Sequence, residues 1–504
     1  MLLAPAAIPS HFSGTGPAAA DCARLLRERM RKPQRHRLLH GYPLAAAIHR
    51  RDPARAPEDV DLDCGAGRDL LVGVLPHPFC NPAVVGCGFC TFAHEPYRAG
   101  RAGEVVEHVV REIEGRLARQ SSLCRRRVAA LYFGGGTANL TPGTPFRKLC
   151  RRLAAVLDLS GAEVTLEGVP AYFVRRRPLL MDILREELPA RHFRLSMGLQ
   201  TFDEGRLRQM GRLAFGTAET FARVVEMAHA RGFTASGDLL FNLPGQGPDE
   251  MGRDVEQAVR IGLDHLGLYH LVLFRGLGTG WSRDPALLAS LPTNEQAAEN
   301  WLALRELLLR RGFEQTTLTN FERACYRGDD RRFVYEEFSF RPDRYDMLGF
   351  GPGAISFAAG RSFAGGLKVL NPDGAAAYES AVGRGQPPWD RYFEYDPTDL
   401  RVFYLTRRLA ALEIDRRDYA RLFGSDPLAD FLDPFAAVSD EGLVEVTSAA
   451  VRPTPRGMFY ADSIAALLAW RQIDARRGGE SLPVLVDHAE ERRPSANDNG
   501  HGHM

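Results

Sequence analysis

Six apolar runs, each separated from the next by a helical stretch, constrain this chain more than any other feature. They are RDLLVGVLP (68–76), VAALYFGGG (128–136), AEVTLEGVP (162–170), HFRLSMGLQTF (192–202), TASGDLLFNLPGQ (234–246) and HLGLYHLVLF (265–274). A strand covered on both faces reads as near-continuously apolar, whereas a strand with one wet face alternates. In the first gap, EVVEHVVREIEGRLARQ sets Val106, Val109, Val110, Ile113 and Leu117 on one helical stripe. Right-handed crossovers curl such a repeat into a barrel or part of one. The expected fold class is α/β, with a partial (β/α)6 barrel over residues 70–280.

Polar and glycine residues gather where these strands end: Gly134, Gly135, Gly136 and Thr137, then Glu167, Gln200 and Asp238. In parallel α/β barrels that edge is the catalytic rim. The first strand leads into HPFCNPAVVGCGFCTF (77–92), which holds three of the eight cysteines: Cys80, Cys87 and Cys90. Cys22, Cys64, Cys124, Cys150 and Cys325 are scattered and read as packing residues.

With 64 Lys and Arg against 63 Asp and Glu, no global field points to nucleic acid. No apolar run reaches the roughly 20 residues that span a bilayer, and MLLAPAAIPSHF lacks the pattern of a secretory signal. A cytoplasmic location is expected, where clustered thiols serve metals or redox chemistry before cross-links. Three centres compete. Zinc needs a fourth ligand, for which His77 and His94 are nearby. A dithiol pair would use Cys87 and Cys90 alone. A [4Fe–4S] cluster on three cysteines keeps one iron open. The rim favours the last: glycines that admit close backbone approach, Glu167 as acceptor for a ribose diol, and Arg212 as partner for a carboxylate.

PFC…CGFC, YFGGGTANLTP, VTLEGVP, RLSMGLQTFDEGRLRQMGR, GDLLFNLPGQ, DHLGLYHL and LGFGPGAISF, in this order over residues 70 to 360, resemble the radical S-adenosylmethionine enzymes of the oxygen-independent coproporphyrinogen III oxidase (HemN-like) branch. The resemblance implies that Cys80, Cys87 and Cys90 ligate a [4Fe–4S] cluster whose open iron takes S-adenosylmethionine, in one or two molecules per chain. It further implies Phe89 near the adenine, Gly134, Gly135, Gly136 and Thr137 around the methionine amino end, Glu167 on the ribose, and Gln200, Arg212 and Asp238 completing the pocket. One electron then yields methionine and a 5′-deoxyadenosyl radical that takes hydrogen from a small-molecule substrate. The electron comes from a flavodoxin- or ferredoxin-type partner. The domains expected are an unfolded 1–20, a helical extension 21–69, the barrel 70–280, an extension of the core 281–395, a winged-helix-like unit 396–475 and an unfolded tail 476–504.

The pattern departs from the branch in two places. Six residues separate Cys80 from Cys87 where three are usual, so Pro82 and Gly86 are expected to fold the excess back. Val74 and Pro76 stand where the porphyrin oxidases carry Tyr and His, and RPDRYDM replaces their His-Asn and Tyr-Trp pairs after YEEFSF. Oxidation or methylation of a tetrapyrrole-like or aromatic molecule is the expected activity. A haem chaperone, with His77, His265 or His270 as axial candidates, and an orthodox coproporphyrinogen III dehydrogenase are the alternatives.

Overall fold

The computed structural model describes residues 17–35, 39, 41–43, 48–51, 62, 67–80, 87–92 and 94–476. Cys64, Pro82 and Gly86 lie outside the described residues, as do 1–16 and 477–504. The six apolar runs form β1 Asp69–Val74, β2 Val128–Phe133, β3 Glu163–Gly168, β4 His192–Gln200, β5 Thr234–Phe241 and β6 His265–His270, paired in parallel and in sequence order. Leu70, Leu71, Val72 and Val74 of β1 are all buried, which is why its sequence does not alternate. The helix Ala99–Arg119 buries Val106, Val109, Val110, Ile113 and Leu117 along the expected stripe.

Three features differ from the sequence reading. The sixth strand stops at His270; Leu271, Leu273 and Leu277 leave the sheet to pack with Trp281 in a separate apolar cluster. The first helix, Pro17–Met30, begins inside the stretch expected to be unfolded. Beyond the six strands the sheet continues through β7 Phe313–Gln315, β8 Asn320–Arg323, β9 Tyr345–Phe350, β10 Ile355–Ala359, β11 Gly366–Leu370 and β12 Arg391–Tyr395. β9 runs parallel to β1, from Tyr345 opposite Asp69 to Phe350 opposite Val74, so the parallel set has seven members. β10 to β12 follow it antiparallel, and β8 with β7 closes the other flank antiparallel to β6. The sheet stays open between His49–Arg50 at one end and β7 at the other.

β9 is pinned beneath the rim by a buried network. Glu112 accepts hydrogen bonds from the Gly351 amide (2.8 Å), Asn371 Nδ2 (2.9 Å) and Tyr378 Oη (2.6 Å). Arg116 donates to Gly349 O and Ser356 Oγ, both at 2.8 Å. After this open sheet come the helices Pro397–Ala410, Arg416–Phe423 and Leu432–Asp440, a hairpin of Val444–Val446 with Ala450–Pro453, and the helix Ala461–Arg476, the order of a winged helix. The Pro17–Met30 helix is tied to this unit by a buried ion pair, Arg29 with Asp462. Among the described residues no helix is long and apolar enough to cross a membrane.

Candidate functional site

Cys80 ends a two-residue strand, Phe79–Cys80, laid parallel to Glu95–Pro96. That pairing holds both ends of the cysteine loop together: Glu95 N donates to Pro78 O at 3.0 Å and Tyr97 N to Cys80 O at 2.7 Å. The glycine turn after β2 is threaded onto the same segment, with Gly134 N on Val74 O and Thr137 N on Phe79 O, each at 3.0 Å. Gly136 has φ of +42°, and a Cβ there would stand 2.7 Å from Phe79 O and 3.0 Å from His77 O, so only glycine lets the turn lie against this backbone.

Cys80, Cys87 and Cys90 line one cavity of about 130 Å³ together with Phe92, His94, Gly135, Gly136, Glu167 and Phe215. Thr137 Oγ1 lies 3.3 Å from Cys80 Sγ, and Arg212 donates from Nη1 to Cys87 Sγ at 3.2 Å and from Nη2 to Gly198 O at 2.5 Å. Burial pushes the Cys90 thiol up, an effect the nearby Cys87 and Cys80 reinforce and Arg212 opposes. Among the described residues no group of three or more His, Cys, Asp or Glu side chains is gathered around a single ion position. The sulfurs share a cavity without converging on one point.

The other expected residues divide. Glu167 faces this cavity and accepts a hydrogen bond from Tyr132 Oη at 3.0 Å; burial raises its carboxyl, and Tyr132 counters. Asp238 instead lines a second cavity, of about 280 Å³, on the other side of Tyr132; burial and the Glu167 charge push it up to about 7. Phe89 packs edge-on against Trp281, ring centroids 5.8 Å apart, and Trp281 N donates to Gly88 O at 2.9 Å. Gly134 and Gln200 are not among the lining residues; Gln200 takes a positive φ of +73° beside Gly198. Tyr132, Phe215 and Phe92 were missed. Tyr132 carries a readable signal, standing two residues before the glycine run, whereas Phe215 arrives from a turn with no pattern of its own.

The histidines are placed as follows. His94 shares the cysteine cavity, its Nδ1 2.9 Å from Phe92 O. His77 is fully buried, stacked on Phe79, and burial lowers its pKa to about 4. His265 Nδ1 is held between Ser236 Oγ at 2.7 Å and Arg194 Nη2 at 3.0 Å, and His270 Nδ1 lies 3.1 Å from Asn242 Nδ2.

Residues 74–258 match the family model described as the Radical SAM superfamily. The anaerobilin synthase of Escherichia coli O157:H7 is 31% identical over 400 residues, covering 77% of this chain and 81% of that protein. The chain belongs to the HemN-like radical SAM family. Another relative, the heme chaperone HemW of Escherichia coli K12, is 27% identical over 294 residues, covering 56% of this chain and 70% of its own. The solved structure of coproporphyrinogen III oxidase (HemN) from Escherichia coli superposes with a TM-score of 0.68 at 20% identity, covering 85% of this chain and 96% of that one, and shows the shared fold. Membership in the radical SAM family implies a [4Fe–4S] cluster and S-adenosylmethionine. The residues present suit both: three soft sulfur donors face one cavity, and the Gly136 turn keeps its wall free of side chains.

Proposed function

We propose that this protein is a radical S-adenosylmethionine enzyme that oxidises or methylates a small tetrapyrrole-like or aromatic molecule. The cavity shared by Cys80, Cys87, Cys90, Gly135, Gly136 and Glu167 carries the reading. When bound, the cluster supplies the electron that splits S-adenosylmethionine into methionine and a 5′-deoxyadenosyl radical able to take hydrogen from substrate.

The chain's own residues supply the rest. Cys80, Cys87 and Cys90 would hold the cluster, with the Arg212 guanidinium donating to Cys87 Sγ and orienting it. Glu167 is proposed as acceptor for the ribose hydroxyls, with Tyr132 fixing the carboxylate. Gly134, Gly135, Gly136 and Thr137 would border the methionine end, Phe89 the adenine, and Gln200 and Asp238 the remainder. Cytoplasmic location and a flavodoxin- or ferredoxin-type reductant belong to the same proposal.

Relatives named heme chaperone HemW support a second reading, non-catalytic haem binding. Of its axial candidates, His77 and His265 are 0% and 2% exposed, which leaves the half-buried His270, its Nδ1 3.1 Å from Asn242 Nδ2, as the one that supports it. Orthodox coproporphyrinogen oxidation is less well supported, because Val74, in the place of the branch's Tyr, has its side chain in the core. Mass spectrometry of products after anaerobic reconstitution separates the readings. Methionine and 5′-deoxyadenosine alone indicate oxidation, and S-adenosylhomocysteine in addition to them indicates methyl transfer. Tight haem binding with no cleavage overturns the enzymatic reading.

A further inference from the structure

The second cavity, about 280 Å³, lies across the Tyr132–Glu167 hydrogen bond from the cysteines. Its volume is near the lower bound of small-ligand pockets. Three cationic side chains line it, Arg194, Lys368 and Arg407, against two carboxylates, Asp238 and Glu336. Arg194 is 3% exposed, and its hydrogen bonds go to neutral groups, Thr165 Oγ1 at 3.3 Å and His265 Nδ1 at 3.0 Å; its Nε is buried without a partner. Lys368 is 5% exposed and donates only to carbonyls, Gly41 O and Tyr42 O, each at 3.3 Å. Arg407 lies over the Phe340 and Phe403 rings.

A buried cation held by neutral partners is costly until an anion joins it. The two carboxylates offset part of this charge but leave three cations facing two anions, with Arg194 Nε buried and unpartnered. Glu336 is already engaged by the hydroxyls of Thr317 and Thr319 at 3.2 and 3.4 Å. Burial and Arg407 lower Lys368 to about 7, a shift that an arriving anion would reverse. Four aromatic rings, Tyr132, Tyr269, Phe333 and Tyr335, share the rest of the wall with Ser196, Asn320, Ser339 and Met347, and Ile355 is 41% exposed.

We propose that this cavity is a carboxylate-binding subsite, in which Arg194, Lys368 and Arg407 grip the acid group of an organic molecule whose apolar part lies against the aromatic wall. The guanidinium fork matches a planar carboxylate in two parallel hydrogen bonds. The proposal deepens the function above and rests on it for the role of that molecule as substrate.

The test is ¹⁹F NMR titration of the anaerobically reconstituted full chain with 4-fluorobenzoate and its neutral isostere 4-fluorobenzamide. The acid should bind at least tenfold more tightly than the amide. Lys368→Met should erase that preference and Lys368→Arg restore it; the Arg variant and the amide control separate lost charge from lost fold. Equal binding of acid and amide, no binding of the acid, or equal displacement by inorganic phosphate would overturn the carboxylate assignment. A free small acid and the acid arm of a larger molecule share this chemistry. 4-Fluorobenzoate, which fits whole, and a biphenyl carboxylate on a flexible tether, of which only the arm fits, distinguish them by which binds more tightly. Cleavage of S-adenosylmethionine by the unaltered protein is measured separately. Acid binding without cleavage sinks the enzymatic reading and spares the subsite, and cleavage without acid binding does the reverse.

Discussion

Replacing Gly136 with Ala tests the packing of the glycine turn on the cysteine segment. The φ of +42° costs an L-residue about 1 kcal/mol. The added Cβ also meets Phe79 O at 2.7 Å and His77 O at 3.0 Å, and since these are backbone atoms no rotamer change relieves the overlap. The turn and the Phe79–Cys80 segment must separate by several tenths of an ångström, shifting Cys80 relative to the glycine wall. Misplacement of reacting groups by about 1 Å can cost on the order of 10²-fold in rate. Gly136→Ala should therefore lower S-adenosylmethionine cleavage about 10²-fold while far-ultraviolet dichroism stays native. Gly232→Ala is the control: φ is +76°, nothing lies within 4 Å of its Cβ, and the position is an exposed turn before β5, away from the rim. It carries similar backbone strain without the collision. Wild-type cleavage by Gly136→Ala, or an equal loss in Gly232→Ala, would show that the close packing of this turn does not set the geometry of the site.

Other outcomes follow from particular contacts. Cys87→Ala should lose both iron and cleavage after reconstitution, whereas Cys124→Ala, outside the cavity, should keep both, as read by iron assay and visible absorption. Asp462→Ala leaves Arg29 buried without its carboxylate and should cost roughly 3–5 kcal/mol, measured by urea unfolding. The Asp264 hydrogen bond raises His229 above its ordinary value, so the pair's stabilisation is full below about pH 6.5 and is lost as pH climbs through the folded pKa. His229→Gln should flatten that part of the stability–pH curve; an unchanged slope would show that the pair is not its source.

The six parallel strands were legible because burial on both faces removes alternation, so each run stands out against its helices. β9 was not: Tyr345–Phe350 sits between RPDR and GPGA, and its identity as a seventh parallel strand depends on pairing with β1, some 275 residues earlier in the chain, which no local pattern encodes. The rim was readable from residue type, since Cys80, Cys87, Cys90, Gly135, Gly136 and Glu167 do meet in one cavity. Asp238 reads in the sequence as the end of its strand and so as part of the same pocket, but β5 runs on to Phe241 and Asp238 lies within it. Side-chain direction places it beyond Tyr132, and direction follows from register and twist across the whole sheet. The clustering of Lys368 and Arg407 with Arg194 was invisible for the same reason: β11, the helix Pro397–Ala410 and β4 are brought together only by the closing of the fold.

The most direct measurement is the yield of 5′-deoxyadenosine from protein charged with iron and sulfide in the absence of oxygen, then reduced in the presence of S-adenosylmethionine. The nucleoside should accumulate with one methionine for each 5′-deoxyadenosine, and substituting any one of Cys80, Cys87 and Cys90 should stop it. A fully charged, reduced protein that leaves S-adenosylmethionine intact would contradict the claim that these thiols and the glycine turn beside them form a site for its cleavage.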